Sequence, residues 1–288
     1  MLQTATTATA ATFRPQRIET LPTRISLPSA PAAASGLNEE LLPFTVKVVS
    51  TQAQLAKAVQ IRHDAYARHL PEFAETLLKP EAADFEKGVV VLVAESKEDG
   101  SPVGTIRIQT NAYKPLTLEQ SIDLPDWLKV LPMAEATRLG VTNEKGGRLV
   151  TTALFKAYYM YCKQIGIEWM VIAGRSPIDR QYQRMLFDDV FPGRGFIPLA
   201  HASNLPHRVM SSCVKTAEER WTAVGHPLFD FAFRTHHPDI MLETPRRPLS
   251  VPLSAPFPVP SLLPRLPSMG THPATPPTFP ATGGTYTM

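Results

Sequence analysis

Proline sets the outer limits of any ordered fold in this chain. Twelve of its 29 prolines fall between Pro245 and Pro280. Each removes a backbone donor and fixes φ, so neither a helix nor a central strand persists there. Residues 241–288 are expected to form an extended, polyproline-biased tail. Residues 1–42 are rich in Ala, Thr, Ser and Pro, without a sustained period, and are expected to be disordered. One folded domain is expected over 43–240.

Inside that window, apolar alternation marks the strands. Phe44–Val49, Val89–Glu95, Val103–Thr110, Ala134–Val141, Trp169–Ala173, Phe196–Leu199 and Arg208–Lys215 read as strands. Helices are expected from a Thr51 cap to Leu70, over Gly147–Ile165, over Pro177–Phe187 and over Ala217–Val224, with a short turn at Asp126–Val130. Three consecutive strands imply an antiparallel meander, and the strand–helix–strand unit from Ala134 to Ala173 implies a parallel neighbour. The fold class is α/β (α+β): a mixed, mostly antiparallel sheet flanked by helices.

Composition excludes several functions. A net charge of +3 is too small a bias for nucleic acid, and no basic arm carries interleaved aromatics. Cys162 and Cys213 have no metal-binding or redox spacing, so a reducing, cytoplasmic setting without metal or disulfide is expected. The longest apolar run, Val89–Ala94, is too short to span a bilayer. The N-terminus lacks the apolar core of a secretory signal.

The informative residues are charges in apolar positions. In the first helix Leu55, Val59, Arg62, Tyr66 and His69 share one stripe, so Arg62 is expected at a buried polar site, since an unpaired buried guanidinium is costly. In the strand Val103–Thr110, Arg107 points with Thr105 and Gln109 to one face. Glu135 and Arg138 are three apart on a strand. A bulge between them brings both to one face, parts the strand from its neighbour and frees backbone N–H groups. Glu135 then supplies an anion for Arg62 and Arg107.

Arg62-x-x-x-Tyr66, acidic Asp84 and Glu86, Gly104-Thr-Ile-Arg107 and Glu135-x-x-Arg138, in this order over residues 44–215, resemble the long-chain N-acyl amino acid synthases of the FeeM type. These are relatives of the LuxI-type acyl-homoserine-lactone synthases. The resemblance implies a GNAT fold with splayed central strands and an acyl group drawn from acyl carrier protein. It also implies an ion-pair cluster of Arg62, Asp84, Arg107, Glu135 and Arg138 beside the acyl site. The acidic segment here, Glu81-Ala-Ala-Asp84-Phe-Glu86, departs from that family's usual Asp-x-x-Asp pattern.

Acetyl-CoA-using GNAT enzymes hold the CoA pyrophosphate on an Arg/Gln-x-x-Gly-x-Gly/Ala turn. Here the turn reads Thr142-Asn-Glu-Lys-Gly146-Gly147-Arg148, with altered spacing and an added carboxylate. This disfavours CoA and agrees with the acyl-phosphopantetheine of a carrier protein as donor, with no permanently bound cofactor. Gly146, Gly147 and Arg148 at the helix start are expected to hold its phosphate. Lys156 and Lys163 extend a positive strip for the acidic carrier. Tyr66 is expected to line the substrate site and Tyr182 to protonate the leaving thiol.

The expected activity is an N-acyltransferase moving a fatty acyl group from acyl carrier protein to the amine of an amino acid or similar small amine. Glu135 would act as base, main-chain N–H groups near 138–141 would hold the oxyanion, and Arg62 or Arg107 would hold a substrate carboxylate. Two alternatives stay open: an acetyl-CoA-dependent N-acetyltransferase, and a non-catalytic module that binds an acylated carrier or lipid. A homoserine-lactone synthase is disfavoured, because Leu70-Pro-Glu-Phe73 stands where that family is rich in Trp.

Overall fold

The computed structural model describes residues 38–143 and 146–243. Strand β1 (Phe44–Val48) leads into helix α1 (Gln52–Ala67), and then come β2 (Val89–Ser96), β3 (Pro102–Thr110) and β4 (Met133–Val141). Helix α2 (Gly147–Gln164), β5 (Trp169–Gly174), α3 (Ile178–Arg184), β6 (Ile197–Leu199), β7 (Leu205–Cys213) and α4 (Ala217–Ala223) complete the order. The sheet runs β1-β2-β3-β4-β5-β7, with Ile240–Met241 beside β1 at one edge and Asp188–Asp189 and β6 on β7 at the other. The first four strands are antiparallel, β4 and β5 are parallel, and β5 and β7 are antiparallel. This is the mixed, mostly antiparallel sheet that the strand order implies.

The start of α1 follows from its sequence. Gln54 N–H donates to Thr51 Oγ1 at 3.2 Å, and Gln54 Oε1 accepts from Thr51 N–H at 3.2 Å, closing a capping box. Strand alternation divides the core between two faces. Phe44, Val46, Leu92, Ile106, Ile108, Ala134 and Ala136 pack with α2, whereas Val91 and Val93 pack with Leu55, Ala58 and Val59 of α1. Each Val, Leu, Ile or Phe among them contributes about 1.5–3 kcal/mol on full burial.

Several boundaries move. Helix α1 ends at Ala67, ahead of a separate short helix Pro71–Glu75. Strand β7 begins at Leu205 rather than Arg208, and α3 stops at Arg184 rather than Phe187. Asn38–Glu39 pairs with Thr235–His236, Leu42 is buried and Ile240–Met241 pairs with β1. The ordered region therefore reaches past both ends of the 43–240 window. The remainder of the expected disordered segments, 1–37 and 244–288, lies outside the described residues. Among the described residues, no helix is long and apolar enough to cross a membrane, and no cluster of His, Cys, Asp and Glu is suited to a metal.

Candidate active site

Helix α1 packs closely on β4 at Gly140. A Cβ on Gly140 would stand 3.1 Å from the Ile61 carbonyl oxygen and 3.2 Å from the Arg62 Cα. This contact leaves the Arg62 side chain 0% exposed, and a guanidinium so placed needs anions. The 3-10 turn Ala82–Phe85 with its flanking Glu81 supplies them. Arg62 Nη1 and Nη2 donate to the two Asp84 carboxylate oxygens at 3.0 and 2.9 Å, and Nη1 also donates to Glu81 Oε2 at 3.1 Å.

Two strands complete the cluster. Arg107 on β3 donates to Glu81 Oε2 at 3.0 Å, to Asp84 Oδ1 at 3.2 Å and to Thr137 Oγ1 at 3.2 Å. Arg138 on β4 grips Glu81 with two bonds, at 2.7 and 2.6 Å. It reaches Glu81 because β4 bulges. Thr105 faces Gly140 and Arg107 faces Thr137, so Arg138 and Leu139 together stand against Ile106. Arg138 takes φ 55, a left-handed conformation uncommon outside glycine. Three guanidinium groups thus face two carboxylates, Glu81 and Asp84, which leaves a surplus positive charge. Burial pushes the Glu81 carboxyl up, but the Arg138 bonds and the charges of Arg107, Arg138 and Arg62 outweigh it and hold it at about 2.

Glu135 departs from its expected place in the ion-pair cluster. It is 0% exposed and does not close the ion-pair network. Its Oε2 accepts from Leu118 N–H at 3.1 Å, and its Oε1 has no hydrogen-bond partner among the described residues. Burial pushes its carboxyl up to about 7, against the bonds from Leu118 and Thr117 and the pull of Arg107 and Arg138. The anion expected of Glu135 comes instead from Glu81 together with Asp84. Glu86 stands apart and pairs with Lys114.

The bulge coincides with a fork in the sheet. Strands β4 and β5 pair only from Met133–Ala136 to Trp169–Ile172. Beyond Ala136, β4 keeps only β3 as neighbour, while Ala173 and Gly174 of β5 pair with β7. Tyr158 of α2 pins the root of the fork. Its hydroxyl donates to the Ala134 carbonyl at 2.5 Å and accepts from Val171 N–H at 3.1 Å.

Tyr66 stacks obliquely on Phe73, with centroids 5.7 Å apart, and Arg138 lies over the same Phe73 ring at 5.3 Å. His69 is exposed, so the stripe read on α1 ends at Tyr66. Tyr182 is buried against Phe155 and Phe187 on the α2 face. Burial, with the nearby Tyr66, pushes its phenol well above the usual range. Gly174 gives it room, since a Cβ there would meet its ring at 2.7 Å.

The start of α2 is built as a tight turn. Gly146 takes φ 114, and a Cβ on Gly147 would approach the Thr142 carbonyl oxygen to 2.6 Å. Arg148 is exposed beside it. Lys156 does not join it on a surface strip. It is 7% exposed, and its ammonium donates to the carbonyls of Phe231 and Thr235 at 2.7 and 2.5 Å and lies 2.8 Å from His237 Nδ1. Chain from about 75 residues downstream covers this side of α2, which helical spacing cannot foresee.

No protein-family model matches the chain, and no curated protein matches it. Solved structures do match. The chain is similar to FeeM, an N-acyl amino acid synthase from uncultured soil microbes, at 14% identity and TM-score 0.47, over 65% of this chain and 96% of that one. It is similar to BjaI, a CoA-dependent acyl-homoserine lactone synthase, at 16% identity and TM-score 0.45, over 71% of this chain and 95% of that one. It is also similar to Arabidopsis thaliana NAA60 in complex with acetyl-CoA, at 16% identity and TM-score 0.42, over 60% of this chain and 99% of that one. Likeness at this distance assigns neither an activity nor a donor.

Glu81 is the cluster member that sequence reasoning passed over. The signal was present as Glu81-x-x-Asp84, two acids one 3-10 turn apart, and Glu81 N–H donates to Asp84 Oδ2 at 2.9 Å. Chain order does not show that Arg62, Arg107 and Arg138 share one acceptor. The structure brings them onto one carboxylate oxygen.

Proposed function

We propose that the chain is an N-acyltransferase that moves a fatty acyl group from the phosphopantetheine thioester of acyl carrier protein to the amine of an amino acid. The observation that carries this reading is the position of Glu135. It is a buried carboxyl with one unpartnered oxygen, on β4 beside the fork and next to a cluster with surplus positive charge.

In this mechanism the ammonium of the amino acid loses a proton to Glu135 Oε1. A carboxyl held near 7 exchanges protons at neutral pH, whereas one at the ordinary 4.5 is almost wholly ionised and a weaker base. The substrate carboxylate takes up the surplus charge of the cluster by pairing with Arg107 or Arg138. The free amine attacks the thioester carbonyl. Main-chain N–H groups of the bulged stretch 138–141 hold the oxyanion, and collapse expels the thiolate. Tyr182 relays a proton: it gives one to the departing sulfur and takes up the second proton that the attacking nitrogen loses as the amide forms. Gly146, Gly147 and Arg148 receive the donor's single phosphate at the α2 start.

The test is thiol release from acyl carrier protein thioesters and from acyl-CoA, with an amino acid mixture and with each donor alone. Carrier-dependent release with formation of an N-acyl amino acid supports the reading. Release from acetyl-CoA only, or tight donor binding with no release, replaces it with the N-acetyltransferase or the binding module.

A further inference from the structure

On the sheet face away from the ion-pair cluster lies an apolar cavity lined by Phe155, Tyr159, Met170, Phe187, Trp221 and Phe233, among others. It adjoins the fork. Met170 pairs with Ala134, two residues before β4 and β5 part, and Phe155 packs on Tyr182 with centroids 5.5 Å apart. The outer wall is the segment 228–237, which contributes Leu228, Phe231, Ala232 and Phe233 to the lining.

This wall is held lightly. None of residues 228–236 is fully buried. Phe233 touches Tyr159 and Trp221 edge-on, and Arg234 pairs with Glu218 at 3.0 Å. Thr235–His236 at its far end pairs with Asn38–Glu39, and among the described residues its most deeply buried polar anchor is the Lys156 ammonium, which binds the carbonyls of Phe231 and Thr235. The cavity has a volume of about 50 Å³, the space of a water or two at roughly 30 Å³ each, or of the end of an acyl chain. A longer chain enters only if part of the lining moves. Segment 228–237, with few buried contacts, opens more easily than the sheet or α2.

Resting on the acyltransferase reading, we propose that segment 228–237 is the end wall of the acyl site and that Lys156, by holding it in place, limits the length of acyl chain accepted. Lys156 also lines the cavity, but its ammonium is engaged by the wall, so it acts as a positioning residue.

The experiment uses the full chain with a thioester series from butanoyl to tetradecanoyl, and the readout is the ratio of kcat/KM for dodecanoyl over butanoyl. Lys156→Met, which cannot donate, should raise this ratio at least tenfold. Phe233→Ala should raise it in the same direction, and Lys156→Arg should stay near the parent. Binding of free butanoate and dodecanoate by calorimetry gives a second readout that needs no turnover. There Lys156→Met should favour dodecanoate by a similar factor. If the variants keep the parent's length profile in both assays, the end wall lies elsewhere. If nothing releases thiol yet dodecanoate binding shifts as stated, the wall stands and the acyltransferase reading falls.

Discussion

Two glutamates in one site are driven in opposite directions. The Glu135 carboxyl, at about 7 when folded against an ordinary 4.5, binds its proton more tightly in the folded state. Stability therefore falls as pH rises from 4.5 to 7, by about 3 kcal/mol, and is level above. Glu135→Gln should then be more stable than the parent by roughly 1–3 kcal/mol at pH 8, with no advantage at pH 4. It should also abolish the rise of kcat/KM through pH 7. Urea titration at both pH values and a pH–rate profile check this. The Glu81 carboxyl, held at about 2, has the reverse sign. Its contribution is complete above 4.5 and is lost as pH falls towards 2. Glu81→Gln should cost about 3 kcal/mol at pH 7, near the low end for a broken buried ion pair because the side chain is 22% exposed. It should also flatten the acid limb of a stability–pH curve. Neither assignment was legible from residue type alone. The partner of Glu135 is a main-chain N–H seventeen positions away, and Glu81 sits in a turn that follows neither the helical nor the strand period.

At the scale of elements, the sheet was legible because alternation along β2, β3 and β4 matches the two faces they bury. The bulge was expected between Glu135 and Arg138; it falls at Arg138 and Leu139, opposite Ile106, and brings Arg138 but not Glu135 into the ion-pair network. Packing of α1 on β4 was not legible, because it depends on the absence of a side chain at Gly140. That absence is a point to test. The Cβ of Gly140→Val would force α1 outward from Ile61 and Arg62. The expected result is a loss of about 2–3 kcal/mol, as for an overpacked core, with activity falling at least tenfold. Gly140→Ala, only a few tenths of an ångström too tight, should fall between the two. Urea midpoints and thiol-release rates for both variants measure the contact. The burial of Lys156 on α2 has a different origin. Its spacing gives Lys156 a solvent face, and segment 228–237 covers that face from a distance no local pattern encodes.

The whole molecule divides its labour between the faces of one sheet, with charge beside α1 and apolar space beside α2. Cys162 lies in the interior of the α2 side, and burial pushes its thiol well above the ordinary range. Its alkylation should thus be silent in the native state and should track global unfolding, while the half-buried Cys213 reacts earlier. Peptide mapping after timed labelling across a urea series would separate the two thiols. Local openings of segment 228–237 would then appear in neither signal. The ion-pair cluster has a consequence for how such a chain can change over generations. One oxygen of Glu81 serves guanidinium groups from a helix and two strands, so a replacement at any one position alters what the others require, and effects will not add. Single-step drift at these sites meets only losses. Descendants with altered substrate preference should therefore inherit the four positions as a block and diversify in the surrounding walls.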